Sequence, residues 1–163
     1  ASLGLDPDVE LPASVADVWA LLSDPGRMPE WDPACGGVDA PAAALATQPA
    51  TTWLTHQRTV RPDGKPLRVR DGFGRRRVEL LAADEGLRIA WRFTYPDAAR
   101  SNPSTVEITL SPAAGGSQLG IALTWRRGRG WRRVVGFFLG PLRRFAIWMQ
   151  LFQLGGGISR VFR

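Results

Sequence analysis

Residues Val9 to Trp31 read V-E-L-P-A-S-V-A-D-V-W-A-L-L-S-D-P-G-R-M-P-E-W. Val9 to Leu11 suits a short strand, and Pro12 marks a turn after it. Ser14 is placed to cap a helix running to about Ser23, with Asp17 three residues on as the capping acid. Val15, Val18, Trp19 and Leu22 recur at helical spacing and form one apolar stripe, which needs a concave partner. Asp24-Pro25-Gly26 stops the helix. Met28 to Trp31 then reads as one more helical turn, closed by Pro33.

Working outward from that stretch, Ala40 to Pro49 is rich in Ala and Pro, and reads as a loop or a loose edge with a short helix over the mouth of a sheet. Thr51 to Val60 is rich in β-branched residues and ends at the turn signal Pro62-Asp63-Gly64. Leu67 to Phe73 alternates Leu67, Val69, Asp71 and Phe73 against Arg68 and Arg70. Arg75 to Ala83 sets Val78, Leu80 and Ala82 on one side, leaving Arg75 and Arg77 on the wet one. Leu87, Ile89, Trp91, Phe93 and Tyr95 form the next apolar set, then Val106, Ile108 and Leu110. Ala114-Gly115-Gly116 turns the chain into Leu119, Ile121, Leu123 and Trp125. Strands with one apolar and one polar face, joined by short turns, predict an antiparallel sheet wet on one side. Its dry face needs a cover. Val135, Phe138, Leu142, Phe145, Met149 and Phe152 supply one at helical spacing, kinked at Gly140-Pro141. Gly155-Gly156-Gly157 then reads as a break that frees Ile158 to Arg163 as a flexible basic tail.

Composition narrows the functional classes. With 163 residues, 44% of them hydrophobic and 22% charged, the chain has the length and apolar content of one domain with a real core. The formal charge is +6, and it is unevenly placed. Glu107 is the last carboxylate, and nine arginines from Arg126 to Arg163 follow it. Part of this arginine excess fits a GC-rich genome; the rest is positional, and suits an anionic surface or ligand. Cys35 stands alone, so no intramolecular disulfide and no Cys/His metal cluster is expected, and no cofactor motif is recognised. The lone thiol, with Asp6 and Asp8 opposing a secretory leader, gives a cytoplasmic expectation.

The order of strand, two short helices, a run of strands and a terminal apolar helix resembles the START-like polyketide cyclase superfamily (SRPBCC proteins). The resemblance covers nearly the whole chain as a single domain, 1–163. It implies an α+β helix-grip fold: a curved antiparallel sheet wrapped around a long C-terminal helix, with two short helices after the first strand. It further implies an apolar pocket between sheet and helix for a hydrophobic small molecule, lipid-like or polyketide-like. The lining expected here is Trp31, Trp53, Trp91, Phe93, Tyr95, Trp125, Phe138, Leu142, Phe145 and Met149. Periodicity alone allows the same rings to be a plain core. The alternative function is a polyketide aromatase/cyclase, for which His56, Arg70, Asp71 and Tyr95 are the available polar assistants.

Two of these polar groups have a simpler reading. His56 sits opposite in strand parity to Trp53 and is expected to face solvent. Asp71 shares alternation with Val69 and Phe73, which would bury it, but Asp71-Gly72 also suits a turn that rotates it outward. Gly72-Phe73-Gly74 before Arg75-Arg76-Arg77 lacks the strand-loop-helix context of a phosphate loop. No nucleic-acid recognition motif accompanies the basic charge.

The terminal stripe carries more apolar residues than one buried face can absorb, with Phe137, Trp148 and Leu151 on other faces. Arg143-Arg144 in mid-segment opposes a transmembrane span. The expectation is a contact beyond the chain's own sheet: a homodimer through this helix, ahead of peripheral contact with an anionic membrane. Sedimentation at several concentrations, paired with flotation on anionic and neutral vesicles, tests it. Concentration-dependent dimerisation is the expected outcome, and a monomer that ignores both vesicles overturns the expectation.

Overall fold

The computed structural model describes residues 9–61, 63–99, 101–125 and 153–162. Seven strands form one sheet: β1 (Val9–Leu11), β2 (Cys35–Asp39), β3 (Thr52–Gln57), β4 (Arg75–Asp84), β5 (Arg88–Thr94), β6 (Ser104–Ala113) and β7 (Gly116–Trp125). Two helices, α1 (Val15–Leu22) and α2 (Met28–Trp31), follow β1. The strand order is β1-β7-β6-β5-β4-β3-β2, and every pairing is antiparallel. The architecture is α+β, consistent with a helix-grip fold.

The deciding stretch folds for the reasons its sequence supplies. The Asp17 amide donates to Ser14 Oγ at 3.1 Å, which caps α1. Val18, Leu21 and Leu22 are buried, with Val15 and Trp19 half-buried against the core. Asp24 Oδ1 accepts from the Gly26 amide at 2.8 Å and starts the turn into α2. The dry face of the sheet supplies Val78, Leu80, Ile89, Trp91, Ile108, Leu119 and Ile121 to the same core. Each such side chain is worth about 1.5–3 kcal/mol on burial. On the wet face Arg92–Glu79, Arg88–Asp84 and Arg75–Asp97 are ion pairs between exposed or half-exposed groups. Pairs of that kind contribute at most about 1 kcal/mol. The dry face therefore decides which way the sheet turns.

Five sequence expectations are corrected. Leu67 to Phe73 is not a strand: only Val60 and Pro66 bridge, and residues 67–70 run irregularly to a tight turn. There the Phe73 amide donates to the Arg70 carbonyl, and Gly72 adopts φ +79°. The alternation of apolar and basic residues is real, but no strand of the sheet pairs with it. β2 was not anticipated, because Gly36 and Gly37 erase the period-two signal that its pairing with β3 would otherwise show. Leu87 is 66% exposed rather than inward, since it lies in the turn before β5. A register shift between Leu80 and Ala82 likewise ends the inward set of β4 at Leu80.

The fifth correction concerns the chain's end. Residues 153–161 are helical, and Ile158 is fully buried, so this segment is not a free tail. A Cβ at Gly157 would overlap the carbonyl oxygen of Trp31, whereas one at Gly156 meets open space. Glycine at 157 serves close approach to α2 and not flexibility. The stripe from Val135 to Phe152, and the long helix expected there, lie outside the described residues.

This contact makes a sharp prediction. Gly157→Ala lowers stability by about 1–3 kcal/mol through overpacking, while Gly156→Ala is neutral or stabilising by up to about 1 kcal/mol from helix propensity. Urea denaturation midpoints of the two variants measure the difference.

Candidate functional site

The residue that organises the site is Arg76, on β4. Strand alternation puts residues 76, 78 and 80 on one face, so Arg76 points inward with Val78 and Leu80 while Arg75 and Arg77 face out. Its side chain is 11% exposed, and the partnering Asp32 side chain only 3%. Arg76 Nη2 donates to Asp32 Oδ2 at 2.5 Å, and Nε donates to Thr55 Oγ1 at 3.1 Å. The guanidinium lies 4.3 Å from the centre of the Phe93 ring, in cation–π contact. Burial works against the Arg76 charge, but the charge and hydrogen bond of Asp32 outweigh it and raise its pKa above the ordinary arginine value.

Asp32 is held just as firmly. It follows α2, and its Oδ1 accepts from the Ala34 amide at 2.9 Å. Arg58 Nη2 donates to the carbonyls of Pro29 and Cys35 at 2.9 and 3.1 Å, tying α2 to β2 around the acid. Trp31 packs on Trp91 with ring centres 5.6 Å apart, supporting the segment from below. Each half of the ion pair is thus fixed by its own element.

Above the pair opens a cavity of about 490 Å³. Phe93, Val106, Leu123 and Leu154 give it apolar walls, and Arg76, Tyr95, Ser104 and Arg160 give it polar points. Tyr95 stacks on Phe73 at 4.7 Å. It also borders a small polar void of about 10 Å³ shared with Thr55, Gln57 and Arg76, room for about one water. The cavity lies between the dry face of β4 to β7 and the C-terminal helix.

Of the expected lining, the structure brings Phe93 and Tyr95 to this cavity. Trp31, Trp53 and Trp91 are buried in the core beneath it and form no part of its described wall. Phe138, Leu142, Phe145, Met149 and the side chain of Trp125 lie outside the described residues. Of the four polar assistants only Tyr95 reaches the cavity. His56 faces outward and pairs with Asp39 at 3.0 Å, both substantially exposed. Arg70 and Asp71 are exposed in the turn before Phe73, with Arg70 stacked on the Phe73 ring. Arg76 and Asp32 were missed. The signal for Arg76 was available, because the alternation that sends Arg75 and Arg77 outward sends Arg76 inward. Nothing local marks Asp32.

Among the described residues no group of three or more His, Cys, Asp or Glu side chains stands ready to hold a metal, and no helix is long and apolar enough to cross a membrane.

The site is thus an apolar-walled cavity on the dry face of an α+β antiparallel sheet, and comparison with known proteins gives the family. Residues 5–149 match the family described as polyketide cyclase/dehydrase and lipid transport. The chain belongs to that family. No curated protein matches it. Among solved structures it is similar to protein CV1439 from Chromobacterium violaceum, with 15% identity and a TM-score of 0.64 over 97% of this chain and 95% of that one. Protein Ms6760 from Mycobacterium smegmatis gives 18% identity and a TM-score of 0.60, over 98% and 90% of the two chains. DynU16, a protein of the dynemicin biosynthetic locus, gives 20% identity and 0.55 over 95% of this chain and 45% of its own. At these identities the likeness is one of fold.

Cys35, buried where β2 begins, tests how dry this corner is. Burial, with the Asp32 charge nearby, pushes its thiol from an ordinary value of 9.0 up to about 11. A thiol that keeps its proton longer when folded stabilises the protein below the ordinary value, and this contribution is lost as pH rises from about 9 through about 11. Cys35 should therefore resist a disulfide reagent at mildly alkaline pH until the protein is denatured. Cys35→Ala should flatten the fall in stability across that window, as read from denaturation curves.

Proposed function

We propose that this protein binds a hydrophobic small molecule in the cavity above Arg76. The observation that carries the reading is the cavity itself: about 490 Å³, within the usual range for small-molecule sites of roughly 300–1,000 Å³. Its character also fits, since apolar walls give affinity while a few fixed polar groups orient the ligand. The family adds support, its description joining lipid transport to polyketide chemistry. A lipid-like or polyketide-like molecule is the ligand class in view.

A second reading, a polyketide cyclase or dehydratase, is favoured by one arrangement. Arg76 and Tyr95 face the same cavity, where a fixed cation can stabilise negative charge developing on a ligand oxygen. The Tyr95 hydroxyl is a group on the described wall able to pass a proton to or from that oxygen. The similarity to a protein of a biosynthetic locus points the same way. Binding comes first in either case, and the chemistry would be an addition to it.

Titration with the uncharged fluorescent probe N-phenyl-1-naphthylamine tests the binding reading. The expected result is saturable binding of one probe per chain. Ser104→Trp, which places a large ring at the cavity wall, weakens it by about tenfold or more, or 1.4 kcal/mol. His56→Ala, on the outer face, leaves it unchanged. Saturable binding that Ser104→Trp does not touch would place the probe elsewhere and overturn the reading.

A further inference from the structure

The Arg76–Asp32 pair carries an inference about what the ligand looks like at its polar end, and it rests on the binding reading above. Arg76 lines the cavity, yet two of its three nitrogens are already engaged. Nη2 goes to Asp32 and Met28 Sδ, and Nε goes to Thr55. Among the described residues no acceptor takes the Nη1 hydrogens. The Phe93 ring fixes the plane of the group, so Nη1 offers its donors in a set direction. A ligand oxygen is the partner such a donor lacks.

Charge decides which oxygen. Asp32 is buried and already balances the guanidinium. A ligand carboxylate on Nη1 would be attracted by Arg76 at contact and repelled by Asp32 across the same guanidinium, in the same poorly screened environment. The repulsion offsets part of the attraction, while the carboxylate still loses its hydration. A neutral carbonyl or phenol oxygen has far less hydration to lose and no charge to be repelled. Among the described residues the other cation on the wall, Arg160, is exposed and donates through Nε to the Gly156 carbonyl at 3.2 Å. Water and salt screen its charge, so it does not restore the advantage of an anion.

We infer that Asp32 acts as a charge filter, so that the cavity selects apolar molecules ending in a neutral oxygen acceptor, such as a ketone, ester or phenol, over the corresponding carboxylates. Arg76 supplies the hydrogen bond, and Asp32 sets the selectivity by acting through Arg76.

Three matched probes test this at neutral pH by calorimetric or fluorescence titration: 2-acetylnaphthalene, 2-naphthoate and the hydrocarbon 2-ethylnaphthalene. In the unmodified protein the ketone should bind about tenfold or more tighter than the carboxylate, and tighter than the hydrocarbon. Asp32→Asn removes the negative charge while keeping an oxygen for Arg76, and should raise naphthoate affinity about tenfold or more with little change for the ketone. Arg76→Met should erase the preference of ketone over hydrocarbon. A carboxylate that binds the unmodified protein as well as the ketone overturns the filter. So does a hydrocarbon that binds as well as the ketone, and that result leaves the cavity reading standing. If none of the three binds, the filter falls, while the cavity reading stands or falls on the N-phenyl-1-naphthylamine titration. The comparison in the unmodified protein decides the matter even if Asp32→Asn does not fold.

Discussion

A guanidinium held in the interior between a carboxylate and an aromatic ring is the constraint around which this protein is arranged. Arg76 on β4 meets Asp32 after α2, with Phe93 of β5 against its face. An ion pair of this kind adds little net stability, because both charges must lose their water first. Its consequence is geometric. Leaving either charge alone costs about 3–5 kcal/mol, so any arrangement that separates α2 from β4 is strongly disfavoured. The pair fixes where the two helices sit on the sheet, and thereby where the cavity opens.

The surrounding contacts reinforce that placement by other means. Arg58 holds the carbonyls on either side of Asp32, and Trp31 lies on Trp91. From the far end of the chain, Gly157 lies directly against the Trp31 backbone. Three separate parts of the sequence thus converge on a span of a few residues around Trp31 and Asp32. The core beneath is apolar and closely packed, while the layer above it is partly polar and left open. That division separates a stabilising region from one free to receive a ligand.

The solved structures it resembles share its fold at identities of 15–20%, so the sheet tolerates wide replacement of its side chains. A cavity whose chemistry is set by a handful of wall residues can change its ligand without changing its fold. For this chain the argument about function therefore rests on Arg76, Asp32, Tyr95 and the apolar walls, more than on the resemblance.

Much of the architecture was legible along the chain because it is written in short-range periodicity. The Ser14 cap, the stop at Asp24-Pro25-Gly26 and the alternating sets of β4 to β7 each depend on residues a few positions apart. The tight turn at Asp71-Gly72 was among the open alternatives for the same reason. What escaped was whatever depends on distant partners. β2 exists because β3 pairs with it and not because Cys35 to Asp39 favours a strand. Residues 67–70 have the pattern of a strand but pair with no strand of the sheet. Gly155-Gly156-Gly157 reads as a flexible break, since sequence does not reveal that Trp31 leaves no room for a side chain at 157. Arg76 could be assigned its inward direction by parity, but its partner lies 44 residues away. Local sequence determined the elements and their faces through backbone preference and hydrophobic period. Only the tertiary structure decided which inward charge met its counterion, because burial and long-range proximity are properties of the packed chain.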